Sequence, residues 1–163
     1  MKSLIAGMLM FGLISGITAN AGNSQKLPLD DAAALGLKIQ TDAAVKTEGK
    51  ASIKITTAWP VTICLGEITV LNAKGVKLIY QAEIKTELEG SAFLEMWVQV
   101  DGKQYFSRGL DDIVYGKTGW KTIRTLFMLT KDQKAEKATL NLVINGKGTV
   151  WIDNAVLTEE ILK

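Results

Sequence analysis

Residues 91–108 read SAFLEMWVQV-DG-KQYFSR, and this stretch decides the fold class. Ala92, Leu94, Met96, Val98 and Val100 alternate with Phe93, Glu95, Trp97 and Gln99. A two-residue period puts each set on its own side of a β-strand. Asp101-Gly102 follows, a pair that turns a hairpin cheaply because Gly takes positive φ without steric cost. The run 103–108 then alternates again, with Tyr105 and Ser107 on one side and Phe106 and Arg108 on the other.

The same reading extends in both directions. Upstream, 52–56, 61–70 and 77–86 (KLIYQAEIKT) are short alternating runs; downstream, 120–129, 138–145 and 149–157 complete the set. Parity assigns Leu78, Tyr80, Ala82 and Ile84 to a core side, opposite Ile79, Gln81, Glu83 and Lys85. It also turns Ala138, Leu140, Leu142 and Ile144 inward and leaves Thr139, Asn141, Val143 and Asn145 outside. Asn145-Gly146-Lys147-Gly148 reads as a turn between the last two strands. About eight strands at this spacing predict an all-β antiparallel sandwich or barrel. Helical candidates are few: 29–37 has an acidic start, and 130–137 reads as a polar connection.

The chain has 163 residues, enough for one domain and a self-sufficient core. Lys2 followed by the apolar 4–17 and Ala19-Asn20-Ala21 has the layout of a signal peptide over 1–21. The apolar part is shorter than the roughly 20 residues of a spanning helix, so a periplasmic or secreted product without a membrane span is expected. A segment 22–35 then precedes the sandwich, which is expected over 36–158 with a tail at 159–163. The single Cys64 allows no internal disulfide, and its place in Val61-Thr62-Ile63-Cys64-Leu65 points to burial.

Histidine is absent, which removes His-dependent triads and His-ligated zinc. Net charge is +2 without a concentrated basic stripe, so nucleic acid is not an expected partner. The acidic pairs Asp30-Asp31, Asp111-Asp112 and Glu159-Glu160 are adjacent residues that face opposite ways on a strand. They do not supply the facing carboxyls of a glycosidase. Glu83 and Glu95, read as lying on neighbouring strands, could approach each other. No phosphate loop is present, and no enzyme activity is expected.

Several stretches together resemble a known family. Gly49-Lys50-Ala51-Ser52-Ile53-Lys54-Ile55 begins the sandwich, and KLIYQAEIKT forms a later strand. Trp120-Lys121-Thr122-Ile123 follows Gly116-Lys117-Thr118-Gly119, and Gly148-Thr149-Val150-Trp151-Ile152-Asp153-Asn154 comes near the end. In this order they resemble the family 4/9-type carbohydrate-binding modules, within the galactose-binding-like jelly rolls, over about 36–158. The strings AFLEMW, YFSRGL and GTVWID are also similar to an exported bacterial subgroup. The resemblance implies a two-sheet antiparallel jelly roll that binds glycans on a sheet face or loop rim. It further implies that Asp153 helps hold a structural calcium ion, with Asp42 the nearest candidate second acid; the alternative is that Asp153 hydrogen-bonds a turn.

Trp97 is the foremost candidate for ligand contact, since an aromatic face stacks on the C–H side of a sugar ring. Phe93, Glu95 and Gln99 share its side, and Gln81 and Glu83 are expected on an adjoining strand. Arg108 could clamp a ligand carboxylate or pair with Asp111, Asp112 or Glu95. Tyr115 lies in a candidate binding loop, Trp59 could be a rim aromatic, and Trp120 and Trp151 read as structural. The expected partner is a carbohydrate; the alternative is an envelope protein docking on the same face.

Overall fold

The computed structural model describes residues 24–26, 38–70 and 74–162. The signal-peptide reading of 1–21 and the helical candidate 29–37 lie outside them. Eight strands are present: β1 (Ser24–Lys26), β2 (Lys38–Asp42), β3 (Ser52–Thr57), β4 (Val61–Thr69), β5 (Val76–Val100), β6 (Lys103–Arg108), β7 (Val114–Met128) and β8 (Ala135–Ile161). All pairings are antiparallel, and the only helical element among the described residues is a 3-10 turn at Leu110–Asp112.

Two long strands organise everything. β5 and β8 pair along their whole length, from Val76 opposite Ile161 to Val100 opposite Ala135. The runs 77–86 and 91–100 are therefore one strand, as are 138–145 and 149–157. Asn145-Gly146-Lys147-Gly148 is a bend inside β8, not the expected turn, and β8 continues to Ile161, past the expected boundary at 158. Glycine makes the bend possible. Gly90, Gly146 and Gly148 have φ of 142°, 145° and 131°, values that L side chains rarely adopt. A Cβ on Gly90 would lie 2.0 Å from the Asn145 carbonyl oxygen, and one on Gly146 would lie 2.1 Å from that of Glu89. The two backbones touch where side chains would otherwise hold them apart.

At this waist the sheet folds over on itself. The first layer carries β2, β3, the 148–161 part of β8, the 76–87 part of β5 and most of β7, with β1 added along the end of β8. The second layer carries β4, the 135–145 part of β8, the 91–100 part of β5, and β6. Leu78, Tyr80, Ala82 and Ile84 from one layer and Leu94, Met96 and Val98 from the other have no exposed surface. With no longer helix among the described residues to cover them, the layers cover each other, and their side chains form one core. The inward parity expected for 78–84, 94–100 and 138–144 holds. Tyr80 carries its hydroxyl into that core without a hydrogen-bond partner.

The Asp101-Gly102 hairpin is present: Val100 faces Lys103, and both turn residues have positive φ (49° and 74°). Cys64 differs from expectation, being exposed. Ile63 points inward, so its neighbour opposite Asn141 must point out, and a bulge between Cys64 and Gly66 follows.

The waist yields a paired test. Gly146→Ala meets backbone and a forbidden φ, and should cost on the order of 3 kcal/mol or prevent folding. Gly102→Ala, with nothing within 4 Å of the new methyl, should cost only about 1 kcal/mol. Urea denaturation of the two variants measures the difference; equal losses would contradict the close approach.

Candidate functional site

The outer face of the second layer is built in rows that the strand register dictates. Reading from β4 through β8 and β5 to β6, one row is Cys64, Asn141, Glu95 and Arg108. The next is Glu67, Thr139, Trp97 and Phe106, and below it come Thr69, Lys137, Gln99 and Gln104. Above them Phe93 lies opposite Val143.

Glu95 is the centre of this face. It is only 5% exposed although it points outward, because its neighbours cover it. Arg108 Nε donates to its Oε2 at 2.7 Å, while Trp97 Nε1 and Asn141 Nδ2 donate to Oε1 at 2.7 and 3.3 Å. Burial alone would raise the Glu95 pKa. The hydrogen bonds from Arg108, Trp97 and Asn141, with the Arg108 charge, outweigh it and hold the carboxyl below its ordinary range. The indole of Trp97 is thereby fixed at its N–H, and its ring packs against Phe106 with centroids 5.3 Å apart. Phe106 is 53% exposed and Trp97 partly so, which leaves an aromatic platform open to solvent. The Arg108 guanidinium lies 5.0 Å from the Phe106 ring centroid.

Charges on this face are matched internally. Lys137 Nζ donates to Glu67 Oε1 at 2.8 Å, and Thr139 Oγ1 donates to the same oxygen at 3.3 Å. The Lys137 hydrogen bond lowers the Glu67 pKa, against a smaller opposing effect of burial. Arg108 thus pairs with Glu95, and Asp112 pairs instead with Arg124.

The other candidates separate. Phe93 and Gln99 share the Trp97 side, Phe93 buried and Gln99 half-buried. Gln81 and Glu83 are not on an adjoining strand; they lie upstream on β5 itself, on the outer face of the first layer. Glu83 and Glu95 therefore cannot flank one bond. Tyr115 is 67% exposed on β7 at the waist, opposite Ser91. An open hollow of about 460 Å³ lies there between Thr57, Leu88 and Gly148, edged by the ion pairs Glu87–Lys117 and Glu89–Lys147. Trp59, 60% exposed, follows the end of β3 nearby. Phe106 and Asn141 were not singled out from sequence, yet the two-residue Asp-Gly turn places Phe106 beside Trp97 by counting alone.

The hydrogen bonds that Asp153 and Asp42 accept do not fit the calcium role that the resemblance implies. Asp153 Oδ2 accepts from Thr47 N, Thr47 Oγ1 and Glu48 N, at 2.7, 3.0 and 3.1 Å, and Oδ1 accepts from Asn154 N at 2.8 Å. Asp42 Oδ1 accepts from the Ala44 and Val45 amides, and Oδ2 accepts from Trp151 Nε1 at 2.9 Å. The Trp151 bond is the main influence lowering the Asp42 pKa. Calcium needs six to eight oxygen ligands, whereas N–H and O–H groups point at these carboxylates. Among the described residues no cluster of three potential metal ligands occurs. Asp153 instead clasps the 43–50 loop to β8.

No protein-family model and no curated protein matches the sequence. Among solved structures the chain is similar to the CBM22-1 xylan-binding domain from Paenibacillus barcinonensis Xyn10C, with 16% identity, 88% of this chain and 99% of that one covered, and a TM-score of 0.58. A second is the xylan-binding domain from CBM 22, with 11% identity, 89% and 99% covered, and a TM-score of 0.56. A third is a family 16 carbohydrate-binding module, with 12% identity, 75% and 86% covered, and a TM-score of 0.51. At these identities the likeness establishes the fold, an antiparallel jelly roll of the carbohydrate-binding-module kind.

Two measurements check the site chemistry. Ionised Glu95 is bound in the folded state and free in the unfolded chain. Its contribution is therefore full above the ordinary glutamate value of 4.5 and is lost as pH falls through the depressed folded value. Glu95→Gln should cost roughly 2 kcal/mol at neutral pH, with the gap to wild type closing as pH falls below 4.5. A constant gap would contradict the assignment. Thermal melting should be the same with added calcium as with chelator, while Asp153→Ala lowers the melting temperature in both. A calcium-dependent rise would contradict the hydrogen-bonded reading.

Proposed function

We propose that this protein is a non-catalytic carbohydrate-binding protein that takes a glycan on the outer face of the second layer. The observation that carries the reading is the Trp97–Phe106 platform, fixed by Glu95 and bordered by the amides of Asn141, Gln99 and Gln104. Stacking on aromatic faces with amides at hydroxyl height is the general chemistry of sugar recognition. Arg108 and Lys137 are already neutralised by Glu95 and Glu67, which favours an uncharged sugar chain. Xylan, named for two of the structurally similar domains, is the first polymer to try.

A catalytic reading lacks support from the same residues. Both oxygens of Glu95 are occupied by donors and its proton affinity is low, the reverse of what a general acid needs. The leader-like composition of 1–21 supports export, hence a periplasmic or secreted location. The family 4/9 resemblance remains the finer reading of the module type.

Affinity electrophoresis through soluble xylan and other neutral polysaccharides tests the proposal. Wild type should be retarded by at least one of them, and Trp97→Ala or Phe106→Ala should weaken that binding at least about tenfold, Phe106→Ala with little change in melting temperature. Retardation untouched by both substitutions, or the absence of any retarding glycan alongside capture of an envelope protein, would overturn it.

A further inference from the structure

We propose that Glu67 makes the Trp97 platform selective for a free sugar hydroxyl, which it accepts on Oε2. This inference rests on the glycan reading of that face and adds a specificity determinant to it. Glu67 ends the row that carries the platform: Phe106 on β6, Trp97 on β5, Thr139 on β8 and Glu67 on β4. Among the described strands β4 is the edge on this side, so its side chains have room to swing out past the sheet. Glu67 does not. Its donors, Lys137 Nζ at 2.8 Å and Thr139 Oγ1 at 3.3 Å, both stand on β8. The carboxylate is therefore drawn inward over β8, onto the residue directly beside Trp97.

Occupancy separates the two carboxylates of these rows. Glu95 has a donor on each oxygen and is almost fully buried, so nothing is left for a ligand. On Glu67 both donors share Oε1, and among the described residues Oε2 has no hydrogen-bond partner. The Glu67 side chain keeps 27% of its surface exposed, on the same outer face as Trp97. A carboxylate oxygen without a partner thus stands at the border of the aromatic platform, held there by its own second oxygen.

Chemistry fixes what this oxygen takes. An ionised carboxylate only accepts hydrogen bonds, and the Lys137 contact keeps Glu67 ionised by holding its carboxyl below the ordinary range. Its partner must be a donor, and in a neutral glycan such as xylan the donors are hydroxyls. A hydrogen bond to a charged acceptor is roughly twice as strong as one between neutral groups. Lys137 and Thr139 fix the carboxylate before the ligand arrives, so little order is lost on binding. Stacking on Trp97 and Phe106 is indifferent to any single hydroxyl. Glu67 is not: a chain whose hydroxyl at this position is removed, or capped as an ether or ester, leaves Oε2 unpaired and is rejected.

The test is calorimetry with xylotetraose, or with the tetramer of whichever neutral polysaccharide retards the protein most, and with the mono-deoxy derivatives of that tetramer. Wild type should bind one derivative at least about tenfold more weakly than the parent. Glu67→Ala should lose that same factor on the parent and bind the derivative as wild type does, so that parent and derivative become equal. Glu67→Gln, which keeps the shape without the charge, should lose an intermediate factor. Trp97→Ala should weaken parent and derivative alike, and melting curves establish that each variant is folded. If both Glu67 variants weaken the parent and every derivative equally, or weaken none, the assignment of Glu67 falls while the Trp97→Ala loss upholds the glycan reading. If no tetramer binds, or Trp97→Ala binds as wild type does, the glycan reading falls and takes this inference with it.

Discussion

Backbone contact between Glu89-Gly90 and Asn145-Gly146 is the constraint on which the rest of the molecule depends. No side chain fits at Gly90 or Gly146, and L side chains rarely adopt their φ values. Because they remain hydrogen-bonded through the bend, the same two strands run through both layers. Both outer faces are then built on β5 and β8. Trp97 and Lys85 stand on one strand, Asn141 and Trp151 on the other, and bending at the waist sends them to opposite sides of the molecule.

Each face is organised by a carboxylate that holds an indole N–H. Glu95 fixes Trp97, and Asp42 fixes Trp151. The consequences differ because the cations differ. Around Trp97 each cation has its own acid, so the ring and the amides beside it are what a ligand meets. Around Trp151 the ring is covered, with the Lys54 and Lys85 ammoniums 5.1 and 4.8 Å from its centroid. Asp153 makes no comparable surface: three of its four hydrogen bonds tie the 43–50 loop to β8 and the fourth comes from the neighbouring Asn154 amide.

Much of this was legible in the sequence, because side-chain parity is a local property. Leu78 to Ile84, Leu94 to Val100 and Ala138 to Ile144 sort correctly by period two, and Asp101-Gly102 announces its hairpin. Parity also contains the exposure of Cys64, had Ile63 rather than the apolar character of the run been given priority. The waist was not legible. Glu87, Glu89 and Gly90, like Asn145 to Gly148, have the composition of turns, and only pairing between segments far apart in the chain keeps them extended. Missing the bend moved Gln81 and Glu83 next to Trp97, when the fold puts them on the other layer. Three of the Asp153 hydrogen bonds come from a loop more than a hundred positions away, a contact that no local pattern encodes.

The central claim is that the glycan lies on the Glu95–Trp97–Phe106 face. The four tryptophans, Trp59, Trp97, Trp120 and Trp151, give four indole N–H signals that report on separate parts of the surface. Titrating isotope-labelled protein with a neutral oligosaccharide from the best-binding polymer, and following amide and indole resonances, tests the claim directly. The account predicts that the Trp97 indole and the amides of Glu95, Asn141 and Phe106 shift together while the Trp59 and Trp151 indoles stay still. Shifts centred on Trp59 and Tyr115 would move binding to the waist hollow and contradict it.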